Sequence, residues 1–326
     1  MKKWLIAVGL LVLAACSTQA DSDNDLTTIR LSEVTRSVFY APLYVAIERG
    51  YFEEEGIVID MFTSDGADNV MTALLTDAAD IGLSGPEAAI YVYLGGAQDH
   101  AVVFSGLTAR DGSFLIAREP MPDFTWTDVA GFEMLPGRPG GMPFMVLSSV
   151  LDAYGVLGAV ELNTAVQFQA MMGAFLGGEA DFVTAFEPVA STIELEGRGY
   201  VVASIGESTG ELPYTVFYAR SSFIEENPEL IQGFTNAIAR AGAWVANTHP
   251  AEIAALIAPF FPEAELEILA SAIYRYQEIG AYQLTPYISA EAFYLLQDIM
   301  ILAGELETRV PAATLIDNRF AIEAEQ

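Results

Sequence analysis

Short apolar segments alternate with segments of helical apolar spacing along much of the chain. Apolar runs at residues 29–34 and 58–62 precede helical patterns at 42–50 and 67–76. Further strands and helices follow in turn at 80–83, 86–94, 131–135, 142–154, 159–163, 168–175 and 182–186. This alternation predicts an α/β fold in which mainly parallel sheets are flanked by helices.

Two proline-containing segments interrupt the pattern, around residues 120–123 and 210–213. Proline and glycine at such positions mark connections rather than strands or helices. We therefore expect the chain to cross between two structural units near residues 121 and 212. Beyond residue 219 the pattern becomes almost entirely helical, and Asn227 with Pro228 supplies a cap and a first-turn proline.

The N-terminus has the pattern of an export signal. Lys2 and Lys3 precede an apolar run at 4–12, and Leu13-Ala14-Ala15-Cys16 then forms a lipobox. We expect a lipoprotein signal peptide over residues 1–16 with Cys16 lipidated, followed by a flexible tether over 17–27. Two alternatives stay open. One is a transmembrane anchor, for which the run falls short of about 20 residues; the other is ordinary secretion with a chance cysteine.

The chain is strongly acidic, with 44 acidic and 14 basic residues and a formal charge of -30. Such a surface repels phosphate backbones and anionic headgroups, which argues against nucleic-acid binding and against any membrane contact except through the N-terminal lipid. Cys16 is the only cysteine. Once it carries lipid, no thiol remains for a disulfide, a CxxC metal site or a nucleophile.

A glycine-rich loop at residues 136–143 lies between a predicted strand and a predicted helix. Its backbone N–H groups suit an anionic or carbonyl-bearing ligand, and Arg138 adds a fork of donors. The spacing matches neither a P-loop nor GxGxxG. The alternative interpretation is a tight turn that needs the glycines only for its backbone, with Arg138 in a surface or inter-lobe salt bridge.

Other candidate ligand contacts also follow predicted strands, where ligands gather in parallel α/β sheets. The loops concerned are 35–40, 64–66, 84–87, 107–111 and 185–188. Glu187 suits an amine or a ring N–H of a ligand, although the helix macrodipole also favours a carboxylate at the start of a helix. Phe39, Tyr40 and Tyr91 form either an aromatic platform for a ring or part of the core.

Signatures of catalysis are missing. His100 and His249 are the only histidines, and neither lies in HExxH or another metal-ligand spacing. No GxSxG elbow is present, and no carboxylate pair has an apolar setting that singles it out. We predict a protein that is not an enzyme and has no catalytic residue, no metal site and no cofactor.

Residues 40–57 carry a spaced motif, Pro42, Ala46, Gly50-Tyr51-Phe52 and Gly56-Ile57. This segment resembles the opening of solute-binding proteins of ABC importers, in the cluster for nitrate, sulfonates, taurine and thiamine pyrimidine precursors, which reads P-x-x-x-A-x-x-x-G-[FY]-F-x-x-x-G-[LIV]. Residues 74–82, 137–142 and 168–188 are similar as well. The resemblance covers about residues 28–320.

The resemblance implies a two-lobed periplasmic-binding-protein-like fold of type II. Lobe one would comprise residues 28–121 and 213–326, lobe two residues 122–212, and the helical C-terminal third would back lobe one. The ligand would contact loops of both lobes. By the same resemblance its contacts would be Ser37, Phe39, Tyr40, Ser64, Ser84, Gly85, Arg138, Gly140, Gly141, Met142 and Glu187.

The function implied by the resemblance is that of an extracytoplasmic, lipid-anchored, monomeric protein that delivers a small organic solute to a permease driven by a cytoplasmic ATPase. The solute would be a thiamine-type pyrimidine or related heterocycle, or a sulfonate- or nitrate-like anion. A lipoprotein that presents its ligand to a signalling receptor is the first alternative, and a pyrimidine-synthesising enzyme of the same fold is the second, less favoured one. Pyrimidine-synthesising enzymes of this fold use a histidine and a cysteine-rich stretch, where this chain has Gly140-Gly141-Met142.

Overall fold

Two five-stranded sheets form the framework of the protein in a computed structural model, which describes residues 26–325. The predicted signal peptide, Cys16 and most of the predicted tether lie outside the described residues. The strands are β1 (Thr27–Glu33), β2 (Ile57–Thr63), β3 (Ile81–Ser84), β4 (Ala101–Thr108), β5 (Phe114–Ala117), β6 (Glu133–Leu135), β7 (Glu161–Leu162), β8 (Phe182–Ala185), β9 (Tyr200–Ser204) and β10 (Thr215–Arg220).

Helices cover both sheets and make up most of the chain after β10. They are α1 (Ala41–Glu48), α2 (Tyr51–Glu54), α3 (Ala67–Leu75), α4 (Glu87–Leu94), α5 (Met142–Ala153), α6 (Phe168–Gly177), α7 (Val189–Leu195), α8 (Ile205–Thr209), α9 (Ser221–Glu226), α10 (Pro228–Ala246), α11 (Pro250–Ile257), α12 (Leu266–Glu278), α13 (Ala290–Leu302), α14 (Ala312–Leu315) and α15 (Arg319–Ala324). Short 3-10 helices lie at Val38–Tyr40, Trp126–Val129, Leu157–Ala159 and Ala258–Phe260. Across residues 26–325, none of the helices combines the length and the apolar character that a membrane span requires.

Each sheet is mainly parallel and contains one reversed strand. The first sheet has the order β2-β1-β3-β10-β4, and β10 runs antiparallel to both of its neighbours. The second has the order β7-β6-β8-β5-β9, and β5 is the reversed strand. In each sheet the reversed strand is the one that directly follows a crossing from the other sheet. We use lobe one and lobe two for the parts built on the first and second sheets.

The first crossing lies earlier in the chain than the position predicted near residue 121. Residues 114–117 belong to lobe one in that expectation, but Phe114 of β5 pairs with Ala185 of β8 and with Ser204 of β9 in the second sheet. The crossing is therefore the segment 109–113 between β4 and β5. An apolar strand pattern shows that a strand forms, but it does not show which sheet the strand joins. The second crossing, residues 205–214, includes the expected break near 212.

The C-terminal helices serve both lobes. Helix α10 packs against α1 and β4 of lobe one, as expected for helices that back this lobe. Helix α12 also contacts α7, and α13 contacts α5, so these two helices touch lobe two as well. The C-terminal third therefore backs lobe one and also contributes to the junction between the lobes.

Phe234 anchors α10 to the core of lobe one. Its side chain is fully buried, and its ring centroid lies 5.0 Å from that of Phe52 and 4.9 Å from that of Phe217. The ring of Phe104 packs edge-on against it at 5.7 Å. These contacts join α2, β4, β10 and α10 in one aromatic cluster.

Truncation of this anchor should destabilise lobe one. We expect Phe234→Ala to lower the free energy of unfolding by about 3–5 kcal/mol, because it removes a buried ring and leaves a cavity. Phe62→Ala in the same lobe is the control, since Phe62 is 37% exposed, and it should cost less than about 1 kcal/mol. Denaturant unfolding measures both, and similar costs would contradict the assignment of Phe234 as an anchor.

Candidate functional site

A groove of about 310 Å³ lies between the lobes. Helices α3 and α4 form its lobe-one wall, and the glycine-rich loop forms its lobe-two wall. The lining residues are Ala67, Asp68, Met71, Thr72, Leu75, Glu87, Ala88, Tyr91, Val92, Arg138 and Gly140. Among the ligand contacts predicted from the sequence, Arg138 and Gly140 line this groove directly.

The predicted loops of the two lobes meet at the junction. The hydroxyl of Tyr91 donates to the carbonyl oxygen of Gly140 at 3.3 Å. Nearby, Gly85 at the end of β3 lies against Met142, because a Cβ at Gly85 would come within 2.8 Å of Cγ of Met142. Gly141 adjoins Met142 and caps α5 with extended backbone. The strand ends of lobe one therefore face the start of α5 in lobe two.

Arg138 forms an ion pair across the groove. Its Nη2 lies 3.2 Å from Oδ1 of Asp68, which is at the start of α3. The two side chains are 54% and 74% exposed. Exposed pairs of this kind contribute about 0–1 kcal/mol, so a ligand can compete for the guanidinium at little cost.

Glu187 is placed differently from its predicted role as a ligand contact. Its side chain is buried, and Oε1 accepts from Nη1 of Arg275 at 3.0 Å and from Oγ of Ser191 at 2.9 Å. Its Oε2 accepts from the backbone N–H of Ser191 at 2.9 Å. Burial raises the pKa of Glu187, while Arg275 and Ser191 act in the opposite direction. Because both oxygens already have protein partners, the carboxylate joins α7 to α12 instead of facing the groove.

The aromatic residues of the first loop belong to the packed junction. Phe39 is buried, and its ring contacts Phe186 of lobe two at 5.8 Å as well as Tyr276 of α12 at 5.0 Å. Tyr40 is buried beside it. Ser37 caps the 3-10 helix and donates to the carbonyl oxygen of Glu187 at 3.4 Å. Phe39 and Tyr40 therefore fit the core alternative left open by the sequence.

Two predicted serines are already hydrogen-bonded within lobe one. Ser64 Oγ lies 2.7 Å from Oγ of Ser32, and Ser84 Oγ lies 2.6 Å from the hydroxyl of Tyr218. Neither serine lines the groove. These contacts stabilise the strand ends that shape the site.

Glu87 lines the groove and lies in the predicted loop 84–87, but it is not among the ligand contacts predicted from the sequence. It is the first residue of α4 and only 4% exposed, and its Oε2 has no hydrogen-bond partner among the described residues. Burial raises its pKa to about 7, although its own backbone N–H and the charge of Arg138 act in the opposite direction. From sequence, a carboxylate at this place looks like an ordinary first-turn residue. Only the packing shows that it is buried.

A second buried carboxylate lies in the first crossing. Asp111 Oδ1 accepts from the backbone N–H of Ser113 at 2.6 Å and from its hydroxyl at 2.5 Å. Burial raises the pKa of Asp111 to about 7. Within residues 26–325, no group of three or more histidine, cysteine, aspartate or glutamate side chains is arranged to hold a metal ion.

Removal of the buried charge of Glu187 should destabilise the fold. We expect Glu187→Ala to cost about 3–5 kcal/mol of unfolding free energy, because Arg275 then loses its buried partner. Glu194→Ala is a matched control, since Glu194 binds the same arginine at 2.5 Å but is 38% exposed; it should cost under about 1 kcal/mol. Equal losses in denaturant unfolding would show that burial of the Glu187 pair has no special effect.

Glu87 should make stability depend on pH. The Glu87 carboxyl is neutral in the folded and in the unfolded chain below its ordinary pKa of 4.5. As the pH rises from 4.5 to about 7, the unfolded chain loses this proton first. The folded state therefore loses stability over this window, by about 3 kcal/mol in full. We expect Glu87→Gln to be more stable than the unsubstituted protein at pH 8 and equal to it near pH 4.5.

Thermal unfolding across this pH range measures the effect. Glu305→Gln removes the same charge from a partly exposed residue beside Gly140 and should show no such pH-dependent gain. A constant difference between Glu87→Gln and the unsubstituted protein at every pH would contradict the raised pKa.

Two binding proteins resemble this chain over most of its length. YtlA, a candidate binding protein of Bacillus subtilis (strain 168), is 37% identical over 327 residues, which cover 98% of each chain. The formylaminopyrimidine-binding protein of Halalkalibacterium halodurans is 24% identical over 249 residues, which cover 74% of this chain and 73% of the relative.

A solved structure shares the fold of this chain, and a known family matches its sequence. The alkanesulfonate-binding protein SsuA of Xanthomonas axonopodis pv. citri, bound to MOPS, has a TM-score of 0.72 at 16% identity, with 90% of this chain and 98% of that chain covered. This likeness confirms the predicted two-lobed periplasmic-binding-protein-like fold, and the relatives confirm the resemblance to solute-binding proteins. Residues 27–258 match the NMT1-like family, so the chain belongs to the NMT1-like family.

Proposed function

We propose that this protein is the substrate-binding lipoprotein of an ABC importer, which captures a small organic solute between its lobes and delivers it to a permease. The observation that carries the proposal is the groove of about 310 Å³, whose walls come from both lobes. A volume of this size suits a small molecule. The binding proteins among its relatives support the same function.

The connections between the lobes are suited to opening and closing. The two crossings run side by side: Leu212 N–H donates to the carbonyl oxygen of Ala109 at 2.9 Å, and Ile205 N–H donates to that of Ser113 at 3.1 Å. They are packed so closely that a Cβ at Gly206 would overlap the carbonyl of Asp111. Two adjacent connections of this kind form a hinge about which periplasmic binding proteins close on their ligands.

Two polar contacts that cross the groove itself are weak enough to break when the lobes open. The Tyr91 hydrogen bond to Gly140 and the exposed Asp68–Arg138 pair lie at the groove itself. Each is worth about 1 kcal/mol or less. A solute that contacts both walls would add to these contacts, and binding would therefore stabilise the closed arrangement.

The groove has features of a site for an organic heterocycle. Met71, Leu75, Ala88 and Val92 provide apolar surface, and the ring of Tyr91 lies beside them. A thiamine-type pyrimidine or related ring fits this lining, and the formylaminopyrimidine-binding relative supports this class. A sulfonate- or nitrate-like anion is the second candidate, because Arg138 lies on the opposite wall.

The lipid anchor and the partners follow from the same proposal. Cleavage before Cys16 and its acylation would hold the protein on the outer side of the cell membrane. Tethering raises the concentration of the binding protein near its permease. We propose a monomer that contacts the permease, with the ATPase acting from the cytoplasm.

Ligand binding should raise the thermal stability of the purified protein. At a hundred times its dissociation constant a ligand adds about 2.7 kcal/mol, which shifts Tm by a few degrees. The panel comprises thiamine pyrimidine precursors, thiamine, riboflavin, alkanesulfonates and nitrate. A shift with one chemical class identifies the solute, whereas no shift with any of them would contradict the proposed cargo.

The position of the site is tested by one variant and its control. Arg138→Ala should weaken binding of the ligand found in the panel and leave unfolding unchanged, because Arg138 lines the groove and is exposed. Arg309→Ala removes another exposed, paired arginine whose partner is Asp298. Equal affinities of the two variants would refute the groove as the binding site.

A further inference from the structure

We propose that Glu87 makes the groove selective for solutes that donate N–H groups, whether neutral or cationic, and against oxyanions. The inference rests on the proposed function and names the residue that sets the chemical class of the solute. Its basis is the position of the Glu87 carboxylate, its missing partner and the charges around it.

The carboxylate lies where the two lobes meet. Glu87 follows Gly85 and Pro86 at the end of β3, and a Cβ at Gly85 would overlap Oε2 of Glu87. The same Cβ would come within 2.8 Å of Met142 at the start of α5. The carboxylate therefore lies over the backbone of Gly85, between lobe one and the first turn of the lobe-two helix, and it lines the groove.

One oxygen of this carboxylate accepts no hydrogen bond from the described part of the chain. Oε2 is buried and lacks a hydrogen-bond partner among the described residues. Buried polar atoms nearly always have a partner, and an acceptor without one favours a ligand that brings a donor. Glu187 shows the contrast, since both of its oxygens accept from neighbouring protein groups.

The place where an oxyanion would bind is already occupied. The start of a helix presents free N–H groups that attract anions. At the start of α4 the Glu87 carboxylate interacts with its own backbone N–H. This contact lowers the pKa of the carboxyl, while burial raises it by more. A nitrate or sulfonate at this wall would therefore meet a carboxylate instead of free donors.

The other groups that face Glu87 do not reverse its discrimination against oxyanions. Burial, with a smaller contribution from the charge of Glu87, raises the pKa values of tyrosines from the 3-10 helix, α4, the second crossing and β10, so their hydroxyls stay neutral. These are Tyr40, Tyr91, Tyr214 and Tyr218. Arg138 is the cation that faces Glu87, and it is the one cation among the residues that line the groove. The lining thus contains two carboxylates and one guanidinium, and at pH 8, above the pKa of Glu87, its net charge is negative.

The experiment compares two probe classes on the purified protein by isothermal titration calorimetry at pH 8. Formylaminopyrimidine and an aminomethylpyrimidine serve as N–H donors, and ethanesulfonate and nitrate serve as oxyanions. We expect the protein to bind an N–H donor and to discriminate against both oxyanions. Glu87→Gln should weaken donor binding by about ten- to hundredfold, the effect expected when a hydrogen bond to a charged group is lost.

Glu87→Gln should also bind ethanesulfonate more tightly than the unsubstituted protein does, because the repelling charge is gone. A purely structural role for Glu87 would not produce opposite changes for the two probe classes. Glu305→Gln removes a partly exposed charge beside Gly140 and is expected to leave both affinities within about twofold.

Several results would overturn the inference. Donor affinity that is unchanged in Glu87→Gln would show that the carboxylate does not recognise the solute. Tighter binding of ethanesulfonate or nitrate than of either pyrimidine by the unsubstituted protein would reverse the assigned class while leaving a solute-binding function intact. Binding of none of the four probes would count against both the inference and the proposed function.

Discussion

Close packing of the two chain crossings determines how the lobes are arranged. The backbone of α8 lies so near the carbonyl of Asp111 that only glycine fits at residue 206. Hydrogen bonds from Leu212 and Ile205 then hold the crossings together. Because the lobes are joined along the two crossings, the loop after β3 in lobe one faces the loop after β6 in lobe two. The groove forms between these loops.

The buried carboxylates at the junction are enclosed to a similar extent, but they differ in their hydrogen-bond partners. Glu33 accepts from Arg36 at 2.6 Å, from Thr63 at 2.8 Å and from Tyr44 at 2.8 Å, and it fixes the end of β1. Glu187 is satisfied in a similar way by Arg275 and Ser191. Glu87 is equally enclosed, but within residues 26–325 its Oε2 has no hydrogen-bond partner. Burial of an ionised group is tolerated where hydrogen bonds compensate it. Among the described residues Asp111 also has one oxygen without a partner, but of the two carboxylates it is Glu87 that lines the groove.

The pattern of apolar and polar residues predicted much of the fold. The features that it did not predict depend on tertiary packing. The alternation of apolar runs and helical spacing indicated the α/β class, and the motif of residues 40–57 indicated the family. The same pattern could not assign β5 to a sheet, because its four apolar residues suit either one. At the site, the glycine-rich loop was recognisable from composition. The roles of Glu87 and Glu187 were not, because two carboxylates after strand ends look alike until the surrounding side chains are placed.

The insertion of β10 between β3 and β4 has a consequence for the order in which the chain can fold. The second sheet is built from one continuous segment, residues 114–204. The first sheet cannot close until residues 215–220 return from the other lobe and pair on both sides. As the chain emerges from N- to C-terminus, lobe two can complete its sheet while lobe one still exposes the facing edges of β3 and β4. Those unpaired edges are the part of a nascent chain most prone to wrong pairing.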